Sequence, residues 1–162
     1  MARVNTKSEQ IVRRLNFKSY LRVIRNSVGS NMFRNLYVHT DKAGEFDALD
    51  DGSNSCAFYV SSILLIFGKV SGLHGTIGRT LEDMEESGWV ITKKPKLGDV
   101  VLWEAQEFED GRHEHMGFYI GKGRAISTSS KQKIPAEHDQ NFGKEKRIIS
   151  KIYRMKDWDD KP

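Results

Sequence analysis

A thiol nucleophile is the first chemistry this sequence offers. Cys56, the only cysteine in 162 residues, stands where short polar residues give way to the apolar run of SNSCAFYVSSILLIF, Ser53 to Phe67. That change of character reads as a loop capping a buried helix, with the cysteine at the helix N-terminus. Unpaired N–H groups and the positive end of the helix dipole favour a thiolate there, so the position is expected to lower the thiol pKa below its free value of about 8.5. The competing account is structural, since a lone cysteine among Ala, Phe and Val also serves as a small buried hydrophobe.

A thiol that attacks a carbonyl needs a base to take its proton and a polar group to orient that base. Five histidines are available: His39, His74, His113, His115 and His138. His115 opens the segment HMGFYIG, where strand alternation sets His115, Gly117 and Tyr119 on one face and Met116, Phe118 and Ile120 on the other. The apolar alternates must meet a core, so the histidine faces away from it. Gly117 leaves room beside it for a helix end or a substrate to approach.

The turn Gly121-Lys122-Gly123 then returns the chain as a hairpin. Pairing of Ile120 with Arg124 sets His115 opposite Ser129 and Gly117 opposite Ser127, so either serine can bond the far ring nitrogen. A one-residue slip removes both. As a surface residue at a strand start, His115 has an ordinary explanation too. His113 and His115 flank Glu114 in a pattern that suits a metal only weakly, without a further ligand at the right spacing. His138 and Asp139 follow Pro135 and read as an exposed loop within reach of the site.

The elements that must position these groups fall into two halves. Lys7 to Val28 carries Ile11, Val12, Leu15, Leu21, Ile24 and Val28 at helical spacing, with Ser8 and Glu9 near the start and Gly29 as a stop, and predicts one amphipathic helix or two short ones. MFRNLYVHT fits either a strand or a short helix, and KAGEFDALDDGSN reads as a polar loop leading to Cys56. Gly68 ends the cysteine helix, and Thr76 to Ser87 predicts another, with Thr76 as cap, Ile77, Leu81 and Met84 inward and Gly88 as stop. Then the period changes. WVITK, DVVLWE, HMGFYIG, RAISTSS and RIISKIYRM are short runs rich in β-branched and aromatic residues, separated by Pro95, Gly98, a charged loop from Glu107 to Arg112, and the glycine turn. Helices followed by strands predict an α+β domain on a mostly antiparallel sheet of about five strands. The division expected is an N-terminal helical extension over 1–30 and a catalytic unit over 31–162, compact as one domain.

The order of these features resembles the NlpC/P60 superfamily of papain-like cysteine peptidases and amidases, to which the CHAP amidases are related. The resemblance runs from Met32 to Ser130 and is most specific in Gly98-Asp99-Val100 followed by His115-Met116-Gly117-Phe118-Tyr119-Ile120-Gly121. It implies a papain-like fold with the nucleophile at the start of a central helix, Cys56 as nucleophile, His115 as general base and Ser127 at the third position, with Ser129 as its rival. The family commonly has Asp where this chain has Ser55, and His, Asn or Gln where it has Ser127. Tyr37 stands as a possible equivalent of a site-lining tyrosine upstream of the nucleophile. The implied reaction is hydrolysis of an amide bond, foremost in peptidoglycan stem peptides, and it calls for no cofactor. Two rival readings keep the same fold: an acyltransferase, and a silent binding domain for wall fragments or a protein partner.

The totals agree with a globular protein of modest size: 38% hydrophobic and 30% charged residues, with 26 basic and 22 acidic side chains interspersed. A net charge of +4 spread in this way describes a solvated surface, and the basic face of the first helix lacks the interleaved aromatics of a nucleic-acid binder, so no nucleic acid is expected. No apolar run reaches the length of a membrane span. The N-terminus lacks the apolar core and cleavage site of a Sec signal peptide, which leaves the compartment open between the cytoplasm, export by another route and a trimmed chain. Nothing in the sequence sets the oligomeric state.

Overall fold

Apolar spacing and glycine stops delimit three helices in the computed structural model, which describes residues 12–108 and 111–158. Helix α1, Asn16–Asn26, takes up the second part of the segment predicted as one helix or two short ones, and Ser8 and Glu9, the expected helix start, lie outside the described residues. Its inward face carries Tyr20 and Ile24, both fully buried in the main core. Helix α2, Cys56–Ile66, buries Ala57, Tyr59, Val60, Ser61, Ile63 and Leu64, the all-round apolar character of a central helix. Gly68, at φ +61°, follows its end. Helix α3, Ile77–Glu86, begins as expected at Thr76, whose side chain accepts the Arg79 N–H, and it turns Met84 inward with Ile77 and Leu81 packed at the margin.

Tyr37–Thr40 (β1) and Gly44–Asp47 (β2) form an antiparallel hairpin by themselves, where the sequence suggests a polar loop after Thr40. The main sheet has six strands rather than about five. They are β3 (Trp89–Thr92), β4 (Val100–Phe108), β5 (Gly111–Gly121), β6 (Arg124–Thr128), β7 (Pro135–Asp139) and β8 (Ile149–Met155). Their order is β3-β8-β4-β5-β6-β7 with every neighbouring pair antiparallel. The extra strand is β7, and the segment from Glu107 to Arg112 belongs largely to β4 and β5. Architecture and strand direction are thus α+β and antiparallel.

The helices cover one face of this sheet, where Val100, Leu102, Met116, Phe118, Ile120 and Ile126 meet Tyr20, Tyr59 and Ile63 in the main core. A smaller cluster of Val101, Trp103, Ala125 and Ile152 lies on the other face, with Tyr119 and Phe142 against it. The alternation of HMGFYIG is therefore satisfied twice, once on each side. The Gly98-Asp99 pair locks the frame. A Cβ on Gly98 would lie 2.9 Å from the Phe17 ring, and the Gly98 carbonyl accepts from the Tyr20 hydroxyl at 2.9 Å, so α1 closes directly on the start of β4. Asp99, nearly inaccessible, accepts from Arg154 of β8 and from the Lys96 N–H at 2.7 Å.

Candidate active site

The β5–β6 ladder determines what His115 meets. Phe118 pairs with Ile126 and Tyr119 with Ala125, after which the ladder shifts so that Gly121, not Ile120, stands opposite Arg124. In this register the histidine does not bond the serine level with it. It reaches diagonally, and His115 Nε2 lies 2.8 Å from Ser127 Oγ. Ser129 lines the same cavity, but its hydroxyl accepts the Gln132 N–H at 3.2 Å and holds a local turn. Gly117 is what permits the diagonal. A Cβ there would sit 2.5 Å from the Ile126 carbonyl and 2.7 Å from Ser127 Cβ, so the close approach is made by β6 itself and not by a helix end.

Ser127 is 1% exposed and has a second partner that sequence reasoning places in an exposed loop. His138 Nε2 lies 2.7 Å from Ser127 Oγ, and His138 Nδ1 lies 2.8 Å from the Asp139 carbonyl. Because β7 pairs with β6, with Ser127 opposite Ala136 and Ala125 opposite His138, the second imidazole shares a face with the first. Aromatic side chains wall in the pair. Trp103 has its ring centroid 5.6 Å from His115 and 5.5 Å from His138, and Phe142 stacks on His138 at 4.1 Å. Trp103 is itself anchored by its indole N–H, which donates to the Gln140 carbonyl at 2.7 Å.

Cys56 reaches this wall from the opposite layer. The backbone N–H groups of Met116, Ala57 and Cys56 itself act on its thiol electrostatically and favour the thiolate. The thiol and the His115 ring line one cavity of about 740 Å³, together with Ser127, His138, Phe142, Glu114, Lys131, Arg112 and Arg147. Ser55 does not. It is buried, and its hydroxyl donates to the Gly52 carbonyl at 2.9 Å, tying down the loop before α2. Tyr37 stands on β1, 73% exposed, outside the lining.

Burial reverses one electrostatic expectation. Desolvation raises the Cys56 thiol above its ordinary value, outweighing the three N–H groups and the charge of Arg147, all of which pull it down. The same cause, followed by Arg147 and His138, lowers His115 to about 3. His138 is lowered too, first by burial. Thiol and imidazole are therefore both neutral near pH 7.

No protein-family model matches the chain, and no curated protein matches it at a significant level. The site has to be read from its own geometry. Arg147 is a member that the sequence hides in EKRIIS: it is 7% exposed, it donates to the carbonyls of Glu104 at 3.0 Å and His113 at 2.6 Å, and its charge acts on both Cys56 and His115. His113, Glu114 and His115 do not gather further ligands, and no group of three or more side chains suited to a metal ion occurs among the described residues.

Proposed function

We propose that the chain is a cysteine hydrolase that cleaves an amide bond, with Cys56 as nucleophile and His115 as general base. The observation that carries this reading is the convergence, on one cavity, of a thiol at a helix N-terminus and an imidazole whose Nε2 is already engaged by Ser127. With both groups neutral, the proton passes from sulfur to His115 as the sulfur attacks the carbonyl carbon, rather than resting in a preformed ion pair. Backbone N–H groups at the start of α2 and that of Met116 are suited to hold the oxyanion. The imidazolium then protonates the leaving amine, and the resulting thioester is hydrolysed by water activated at the same ring.

The substrate class rests on the resemblance to NlpC/P60 enzymes, which favours peptidoglycan stem peptides. Papain-like topology belongs to this proposal as well, supported by the central helix with a cysteine at its head and the antiparallel sheet that bears the histidine.

Incubation with purified peptidoglycan in H₂¹⁸O, followed by mass spectrometry of the soluble peptides, tests the proposal. Release of peptides carrying ¹⁸O in a new carboxyl group, lost in Cys56→Ala and His115→Ala, is expected. Acyl products joined to an amine without ¹⁸O identify a transferase instead. Binding of wall fragments with no product from the wild-type protein identifies a silent binding domain, in which a thiol held protonated by burial would have no chemical duty.

A further inference from the structure

Ser127 carries one hydrogen and faces two imidazole nitrogens, 2.8 Å away on His115 and 2.7 Å away on His138. A hydroxyl in that position donates to one ring and accepts from the other. The direction is decided at the far end. The Asp139 carbonyl can only accept, so His138 Nδ1, 2.8 Å from it, must carry a proton. In a neutral His138 the Nε2 is then a lone pair. Ser127 donates to it, its oxygen accepts from His115 Nε2–H, and His115 Nδ1 is left as the basic nitrogen. Among the described residues Nδ1 has no hydrogen-bond partner of its own.

We propose that His138 is a positioning residue which, through Ser127, fixes His115 in the Nε2–H tautomer and so keeps Nδ1 free to accept the proton of Cys56. This rests on the reading of His115 as general base, and it extends that reading by a fourth member on a different strand. A backbone carbonyl supplies what a carboxylate supplies in a conventional triad: it orders the protons along the chain without being titrated. Serine alone cannot do so, because its hydroxyl rotates and would serve either tautomer. The walls preserve the order. Trp103 and Phe142 cover both rings, and Phe142 stacks face to face on His138, at 22° between planes. A protonated His138 would reverse each bond and place the His115 proton on Nδ1, the wrong nitrogen. Burial opposes that state.

The direct experiment is a long-range ¹H–¹⁵N correlation spectrum of the histidine-labelled full chain at pH 7.5. His115 is expected as a single Nε2–H tautomer and His138 as a single Nδ1–H tautomer. A His115 signal from the Nδ1–H form, or from a mixture of forms, in the wild-type protein overturns the proposal without any substitution. Two variants test the coupling. In His138→Phe, which keeps the stack on Phe142, His115 should become a mixture of tautomers, and His138→Gln, whose amide oxygen can accept from Ser127, should restore the single form.

In a Ser127→Ala background the spectrum of His115 should no longer respond to His138→Phe. A response there means that His138 acts by packing, and the proposal falls. Failure of the hydrolase reading looks different: the tautomers are as stated, but peptide release does not depend on Cys56.

Discussion

Gly117 decides whether His115 has a partner at all. Its Cβ position is occupied by β6 backbone, so Gly117→Ala must push the two strands apart just where Ser127 faces the imidazole. A loss of roughly 1–3 kcal/mol is expected, the usual cost of overpacking. It should appear as a lower urea midpoint together with a disordered His115 tautomer. Gly78→Ala, where the added methyl meets nothing within 4 Å, is the control and should be neutral or slightly stabilising. At the thiol, burial has a kinetic consequence. Iodoacetamide should label Cys56 at pH 7.5 more slowly than it labels the same residue in the urea-unfolded chain, and the folded rate should keep rising with pH above the range of an ordinary thiol. Rapid labelling at neutral pH, slowed by His115→Ala, would instead reveal a resting ion pair and overturn the neutral-pair mechanism.

Among the elements, β4 is held to its neighbour by a buried charge. Asp99 and Arg154 are almost enclosed, with side-chain exposures of 3% and 18%. Asp99→Ala leaves the guanidinium without its main partner and should cost about 3 kcal/mol in a denaturation experiment, near the usual figure for breaking a buried pair. The prediction fails if the urea midpoint hardly moves. The GDV segment, a mark of the family resemblance, thus has a structural duty in this fold. Elements whose signal is local are legible in the sequence: α2 and α3 announce themselves by cap, apolar run and glycine stop, and β3 to β6 and β8 by branched and aromatic residues. β7 does not. PAEHD starts with a proline and has no branched residue, and it is a strand because it occupies the sheet edge, where a leading proline costs no ladder bond. That conceals His138. Ser127 is a candidate from the sequence, and the pairing of Phe118 with Ile126 keeps the expected offset between the strands, but choosing it over Ser129 requires the diagonal reach of the His115 side chain, which strand alternation does not give. The thiol's raised pKa is hidden likewise, because desolvation depends on what packs over the helix end and not on the helix.

For the molecule as a whole, the site should make stability depend on pH in a particular window. His115 titrates at about 3 when folded and near 6.5 when unfolded, and His138 is shifted in the same direction. Both groups are neutral in either state above about pH 7, where their contribution is fully present. As the pH falls below about 6.5, the unfolded chain takes up protons that the folded chain refuses, so unfolding becomes easier, by at most about 1.4 kcal/mol per pH unit for each histidine. The loss from His115 continues until the pH approaches its folded value. Carboxylates act in a different range. Asp47, at about 2, and Asp83, held low by His74 and by N–H groups of Ser71 and Gly72, withdraw their stabilisation only as the pH drops below the ordinary Asp value near 3.8. Urea unfolding between pH 7.5 and 4.5 therefore isolates the histidines. The stability of the wild-type protein should fall across that interval, and His115→Gln should flatten the slope by up to one proton's worth. Together with His138→Gln the flattening should be greater, even if each variant is less stable at pH 7.5. A wild-type slope unchanged by either substitution would mean that both rings are protonated alike in folded and unfolded chains, and would overturn the assignment of desolvated imidazoles beside Trp103 and Phe142.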